Sequence, residues 1–239
     1  MQYPGVVLKE TNRGYAVALR LVRATFKGLD PETVALRAGV PYDGCRNEFT
    51  VDLFGQSYKV SWPEAGIKNG DHEPADDVSS ILILHYLRDA SGVPARNRWI
   101  SIKELPGGAV YQEAFKRRTL IPLSRIVEKG MGFLSLDGTK KNDDLARTWL
   151  TNVKRQVGES GSGVWSLGDI GDISFFVRAL PRIPLGFVYW AGCVEEGIPS
   201  SGTVLFDESA PAYLPTEDLI VLADLGVSIL RRAISTQET

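Results

Sequence analysis

The fold turns on one stretch: Ile173-Ser174-Phe175-Phe176-Val177-Arg178-Ala179-Leu180-Pro181-Arg182-Ile183-Pro184-Leu185-Gly186-Phe187-Val188-Tyr189-Trp190-Ala191. Its two runs of aromatic and branched residues, Ile173–Leu180 and Leu185–Ala191, have strand composition. The link from Pro181 to Pro184 is too short for a crossover helix, so the two strands must run antiparallel. A third run, Thr203–Phe206, follows the link Gly192–Gly202 and extends the meander. Pro215-Thr216-Glu217-Asp218 then opens a long helix to about Arg232. It is apolar around much of its surface, which predicts deep burial.

Upstream, Glu48-Phe49-Thr50-Val51-Asp52-Leu53-Phe54 alternates apolar and polar positions, and Tyr58, Val60 and Trp62 alternate again beyond Gly55-Gln56. Two alternating runs about a glycine turn predict a β-hairpin, and Pro63 ends its second ladder. A helix is expected over 10–28, because Tyr15, Leu19, Val22 and Phe26 recur at three- and four-residue spacing. Asp30-Pro31-Glu32 starts another, stopped at Gly39. Residues 66–76 read as a polar loop. A strong helix follows over 77–90, with Val78, Ile81, Leu82, His85 and Asp89 on one stripe. Asn97–Lys103 reads as a strand centred on Trp99. Tyr111 to Lys129 reads as mostly helical, with Pro122 starting a second segment. Asp143–Val153 reads as a helix, and 158–163 as a glycine-rich loop. This mixed order is α+β, an antiparallel hairpin and a meander sheet packed with helices. One compact domain over 1–239 is expected, or two packed halves, 1–130 and 165–239.

Composition narrows the function classes. Among 239 residues, 27 Lys and Arg face 29 Asp and Glu, a formal net charge of −2, without the basic excess of a nucleic-acid binder. No apolar run approaches the roughly 18 residues of a membrane span. Met1–Gly5 lacks a basic region followed by an apolar core, so no secretory signal is expected. Two cysteines, Cys45 and Cys193, make no disulfide framework or cluster motif. The expectation is a cytoplasmic protein with reduced thiols.

Few residues offer chemistry. No phosphate-binding loop matches the required glycine and lysine spacing. His72 sits in the solvated run Asp71-His72-Glu73, and Asp71, Glu73, Asp76 and Asp77 lack calcium-hand spacing. His85 lies on the apolar side of its helix beside Tyr86. It is either a buried imidazole held by hydrogen bonds, or a ring aimed into a pocket as a metal-centre ligand or proton-transfer group. Glu195 and Glu196 lie between strands, and Asp207 follows the next strand. Such carboxylates serve either as turn and cap residues or as an acid/base pair. Aromatic residues such as Trp99 and Trp190 suit a core and a flat cofactor pocket alike.

Several stretches resemble one prokaryotic family in order along the chain: Gly39-Val40-Pro41-Tyr42, Leu84-His85-Tyr86-Leu87, Trp99 to Gly108, Leu180-Pro181-Arg182-Ile183-Pro184-Leu185, Tyr189-Trp190-Ala191-Gly192, Val204 to Ala210, and Tyr213 to Asp218. From Val34 onward the chain is similar to domain of unknown function 3786. It departs where the family tends to an acidic residue and then Phe-Pro after Trp-x-Gly, since Cys193 to Pro199 stands there instead. Some relatives carry an added iron–sulfur domain like that of corrinoid iron–sulfur proteins, which implies anaerobic one-carbon or corrinoid metabolism. The expectation is a binding or accessory protein with a small-molecule cofactor, a corrinoid or haem-like tetrapyrrole, held by His85, Tyr86, Trp99 and Trp190, and no separate metal site. The alternatives are an enzyme using Glu195, Glu196, Asp207 and Glu217, or an interaction module completed by a protein partner.

Overall fold

The computed structural model describes residues 12–132, 141–157, 165–193 and 195–235. Its α+β fold has two antiparallel sheets. The first is β1 (Tyr42–Asp43), β2 (Glu48–Leu53), β3 (Gln56–Ser61) and β4 (Ile67–Lys68), in chain order. The second comprises β5 (Trp99–Ile100), β6 (Trp165–Leu167), β7 (Ile173–Leu180), β8 (Ile183–Trp190) and β9 (Ser201–Asp207), in the order β5-β9-β8-β7-β6. The short β1, β4 and β6 have too little apolar alternation to be read from sequence.

The hairpin turns one residue earlier than its pattern predicts. Phe54 and Gly55 form the turn at φ 51° and 87°. A bulky residue rarely adopts such a φ. Here Phe54 is fully buried, its amide donates to the Ala179 carbonyl at 2.8 Å, and its ring stacks 5.9 Å from that of Trp165. Those contacts join the two sheets across one continuous apolar core.

Helix α1 (Asn12–Phe26) and α2 (Pro31–Ala38) precede the first sheet, and α3 (Asp77–Asp89) follows it. Asp30 caps α2 through the Thr33 amide at 2.8 Å, and Asp76 caps α3 through that of Ser79 at 2.9 Å. These are the capping roles their spacing allows. The strand expected over Asn97–Lys103 is only β5. Glu104 folds back to accept from the Ser101 amide at 2.8 Å, turning Ile102–Glu104 into a 3₁₀ turn.

Helix α4 (Gly108–Phe115) runs through a π turn, Lys116–Leu120, into α5 (Ile121–Gly132). Pro122 is the second residue of α5, so the second segment expected there begins one residue earlier, without a break in the chain of helical turns. The Ile121 amide reaches back five residues to Lys116, and this widened turn precedes the proline, whose ring would crowd a regular one. Helix α6 (Lys141–Val157) is longer than expected, and the 158–163 loop lies outside the described residues.

The link between β7 and β8 is tighter than Pro181–Pro184, since Leu180 already pairs with Ile183. Helix α7 (Thr216–Ser235) lies on the inner face of this sheet. A Cβ on Gly226 would stand 2.3 Å from Phe187 Cζ, so only glycine admits this approach. Register puts Phe187, Val204, Phe206 and Ile100 on that inner face, and Trp99, Asp207, Leu205, Gly186, Phe176 and Trp190 on the other. No helix among the described residues is long and apolar enough to cross a membrane.

Candidate functional site

His85 and Tyr86 are neighbours on α3, so their side chains leave the helix about 100° apart. His85 meets the first turn of α7, where its Nδ1 lies 2.6 Å from Asp218 Oδ2. The side chains are 16% and 14% exposed, so the pair is sheltered from water without being sealed. With the Asp218 carboxylate as acceptor, Nδ1 carries the proton of this bond, and in the neutral ring that tautomer leaves the lone pair on Nε2. Arg88, one turn on, forms a forked pair with Asp89 at 2.6 Å and lies near enough to Asp218 to feel its charge. On the other side of Asp218, Glu217 accepts from the Tyr111 hydroxyl.

Tyr86 points into the core. Its hydroxyl donates to the Ala38 carbonyl and accepts from the Arg182 amide at 3.1 Å. Its ring stacks on Tyr213, centroids 5.8 Å apart, and the Tyr213 hydroxyl donates to the Val93 carbonyl. Burial pushes both phenols above their ordinary range, so both act as neutral donors. Four of the stretches that carry the family resemblance thus meet at one junction: the end of α2, the end of α3, the 181–182 turn, and Tyr213.

From this junction the irregular strap 90–98 runs to β5, and Asp207 fastens it. Asp207 is fully buried. Its Oδ1 accepts from the Arg96 amide at 3.0 Å, the Ser209 amide at 2.9 Å and the Ser209 hydroxyl at 2.5 Å. Burial works to raise its pKa, but the Ser209 hydroxyl and the amides of Arg96, Ser209 and Asn97 together hold it below the ordinary carboxylate value. Glu208 adds ion pairs to Arg96 at 3.1 Å and Arg98 at 2.6 Å.

The carboxylates expected to pair do not converge. Glu195 and Glu196 are exposed in a turn closed by the Cys193–Ile198 bridge. Asp207 is at the opposite end of β9, and Glu217 is on α7. The four cofactor candidates are also separated. Trp99 pairs with Asp207, and Trp190 with Ser201, so the two lie six residue steps apart along β9, about 20 Å. Both face away from the sheet surface that α7 covers. Trp99 packs on Phe176 at 4.8 Å, and Trp190 is 39% exposed. Of the four, His85 has one ring nitrogen held by a carboxylate and a second ring nitrogen with no partner among the described residues.

Sequence reasoning missed two residues. Asp218, the partner of His85, reads locally as an acid in the first turn of a helix, which the helix dipole explains on its own. Arg182 reads as a turn residue between strands. In the structure its Nε is buried without a hydrogen-bond partner. The cysteines are free, Cys45 exposed and Cys193 half-buried. Among the described residues no three His, Cys, Asp or Glu gather as a metal site.

A family model described as domain of unknown function (DUF3786) matches residues 30–135 and 155–228, most of the chain, so the chain belongs to that family. No curated protein and no solved structure matches it.

Proposed function

We propose that this family member is a binding or accessory protein that offers the Nε2 of His85 to a metal-centred ligand of the corrinoid or haem class. The observation that supports this reading is the 2.6 Å bond between His85 Nδ1 and Asp218. A carboxylate on the far nitrogen sets the tautomer, fixes the ring plane and makes Nε2 a better donor to a metal. A metal already held in a macrocycle asks only an axial ligand of the protein, and one imidazole supplies it.

His85 would supply that one ligand, and the other candidates do not fit as walls. Tyr86 is committed to the Ala38 carbonyl and the Arg182 amide, and Trp99 and Trp190 lie on the far face of the sheet. This favours a ligand met at the surface, where a partner could carry it, over one enclosed between aromatic rings. When bound, the metal centre supplies redox or ligand-exchange chemistry. His85 would hold the metal centre through Nε2, and Asp218 would keep the Nδ1 proton in place.

The test is a visible spectrum of the anaerobically purified protein, at micromolar concentration, titrated with cobalamin or haem. Shifted bands are expected, with no shift in His85→Ala and affinity about 10–100-fold weaker in Asp218→Asn. Unchanged spectra with both cofactors refute the reading.

A further inference from the structure

We propose that Arg182 is the anchor of a separate anion site, at the junction of α2, α3 and the β7–β8 turn, which takes an oxyanion of a small acidic ligand, carboxylate or phosphate. The guanidinium lies against Gly39, whose φ is +67°. A Cβ there would stand 2.6 Å from Arg182 Nε and 3.2 Å from Cζ and Nη2. Glycine therefore seats the flat guanidinium against the backbone and closes its Nε edge. The two Nη nitrogens form a fork that matches two oxygens of one carboxylate or phosphate.

Among the described residues no group answers that charge. Arg182 has no ion pair there, and its Nε has no acceptor. The two nearby phenols are already committed. Tyr86 donates to Ala38 and accepts the amide of Arg182 itself, and Tyr213 donates to Val93. The guanidinium lowers the pKa of both, partly offsetting their burial, which places it close to each ring. The C-terminal end of α2 is a weak substitute for an anion. Its Ala35 carbonyl takes the amides of Gly39 and Val40, and its Ala38 carbonyl takes Tyr86. A second cation stands beside the same helix end, since the stem of Arg37 lies along Gly92 of the strap, 3.4 Å from where a Cβ would be. Two arginines around a helix C-terminus, one of them with no ion pair among the described residues, make a positive site whose missing partner is an anion.

The test uses the full chain, titrated calorimetrically with inorganic phosphate and with succinate, against chloride at equal ionic strength. Wild type is expected to bind one of the two probes, and which one tells phosphate from carboxylate chemistry. Arg182→Gln is expected to weaken that binding at least about tenfold. Arg182→Lys keeps the charge and stem but loses the fork, and is expected to bind about tenfold more weakly too. Circular dichroism verifies that each variant folds, and if the glutamine variant does not, the lysine variant decides. No binding of either probe beyond the chloride control means the guanidinium needs no anion, and overturns the proposal. So does equal affinity in wild type and in the folded variant. His85 takes no part in this measurement, so its outcome is independent of the cofactor titration.

Discussion

Asp207 tests whether an acidic residue in a distinctive stretch is there for chemistry or for fastening. Replacing it by alanine leaves three donors without their acceptor: the Arg96 amide, the Ser209 amide and the Ser209 hydroxyl. A hydrogen bond to a charged group contributes about 1.5–3 kcal/mol, and bonds that share one oxygen do not add. Asp207→Ala is therefore expected to lose about 3–4 kcal/mol. For a chain of this size that lowers Tm by about 6–16 °C. Asp207→Asn keeps the shape and an acceptor oxygen, loses the charge, and is expected to lose about 1 kcal/mol. The pH dependence adds a sign. The folded pKa lies below the ordinary 3.8, so the contribution of the charge is fully present above that value and disappears as pH falls through the folded value. The gap between wild type and Asp207→Asn should thus be constant at neutral pH and close below about pH 4. Urea denaturation with an unchanged m-value measures both. Hydrogen exchange at the Arg96 amide should rise in the alanine variant, because the strap is held there. A loss under about 0.5 kcal/mol in Asp207→Ala refutes the fastening role.

Three further outcomes can be read in the same denaturation assay. Tyr86→Phe strands the Ala38 carbonyl and the Arg182 amide inside the core, for about 1–3 kcal/mol; a neutral result means water replaces the hydroxyl. Gly226→Ala forces α7 away from Phe187 and is expected to lose about 1–3 kcal/mol, which an unchanged midpoint contradicts. Burial raises the Asp224 pKa against the opposing effects of Thr119 and Arg118, so its contribution to stability is present at low pH and lost as pH rises above 3.8 through the folded value. Asp224→Asn removes that dependence and should match or exceed wild type at neutral pH; a clear loss there means the charge itself stabilises.

The sheets were legible where one period held over a whole element. The 48–62 hairpin and the 173–206 meander announce themselves by alternation and by branched or aromatic content, and the helices by spacing and caps. What was not legible depends on contacts far along the chain. Phe54 sits in a turn at positive φ because Ala179 and Trp165 hold it, and nothing in Leu53-Phe54-Gly55 shows that. The strand expected from Asn97 stops early because Glu104 competes for the Ser101 amide. His85 was recognisable as the ring to examine, but its partner is 133 residues away, and an acid at a helix start looks the same with or without a histidine beside it.

The residues carrying the family resemblance fall into two groups once their hydrogen bonds are counted. Tyr86, Tyr213 and Asp207 have their donors and acceptors taken up by Ser209 and by the backbone of α2, the strap and the β7–β8 turn, apart from one buried Asp207 oxygen, Oδ2. Their work is to hold irregular segments, which have no ladder of their own, against the core. His85 and Arg182 differ. Each is oriented by the fold, one by Asp218 and one by the seat at Gly39, yet each keeps polar capacity that the described residues leave unused. Orienting a charged or basic group without satisfying it costs stability, and a fold under no other demand would satisfy it or replace it by an apolar side chain. Unused capacity on an oriented side chain that holds no irregular segment, more than a motif's distinctiveness, therefore separates the proposed binding residues from fasteners here. It makes His85→Ala and Arg182→Gln the substitutions expected to alter ligand binding, and Tyr86→Phe and Asp207→Ala those expected to alter stability.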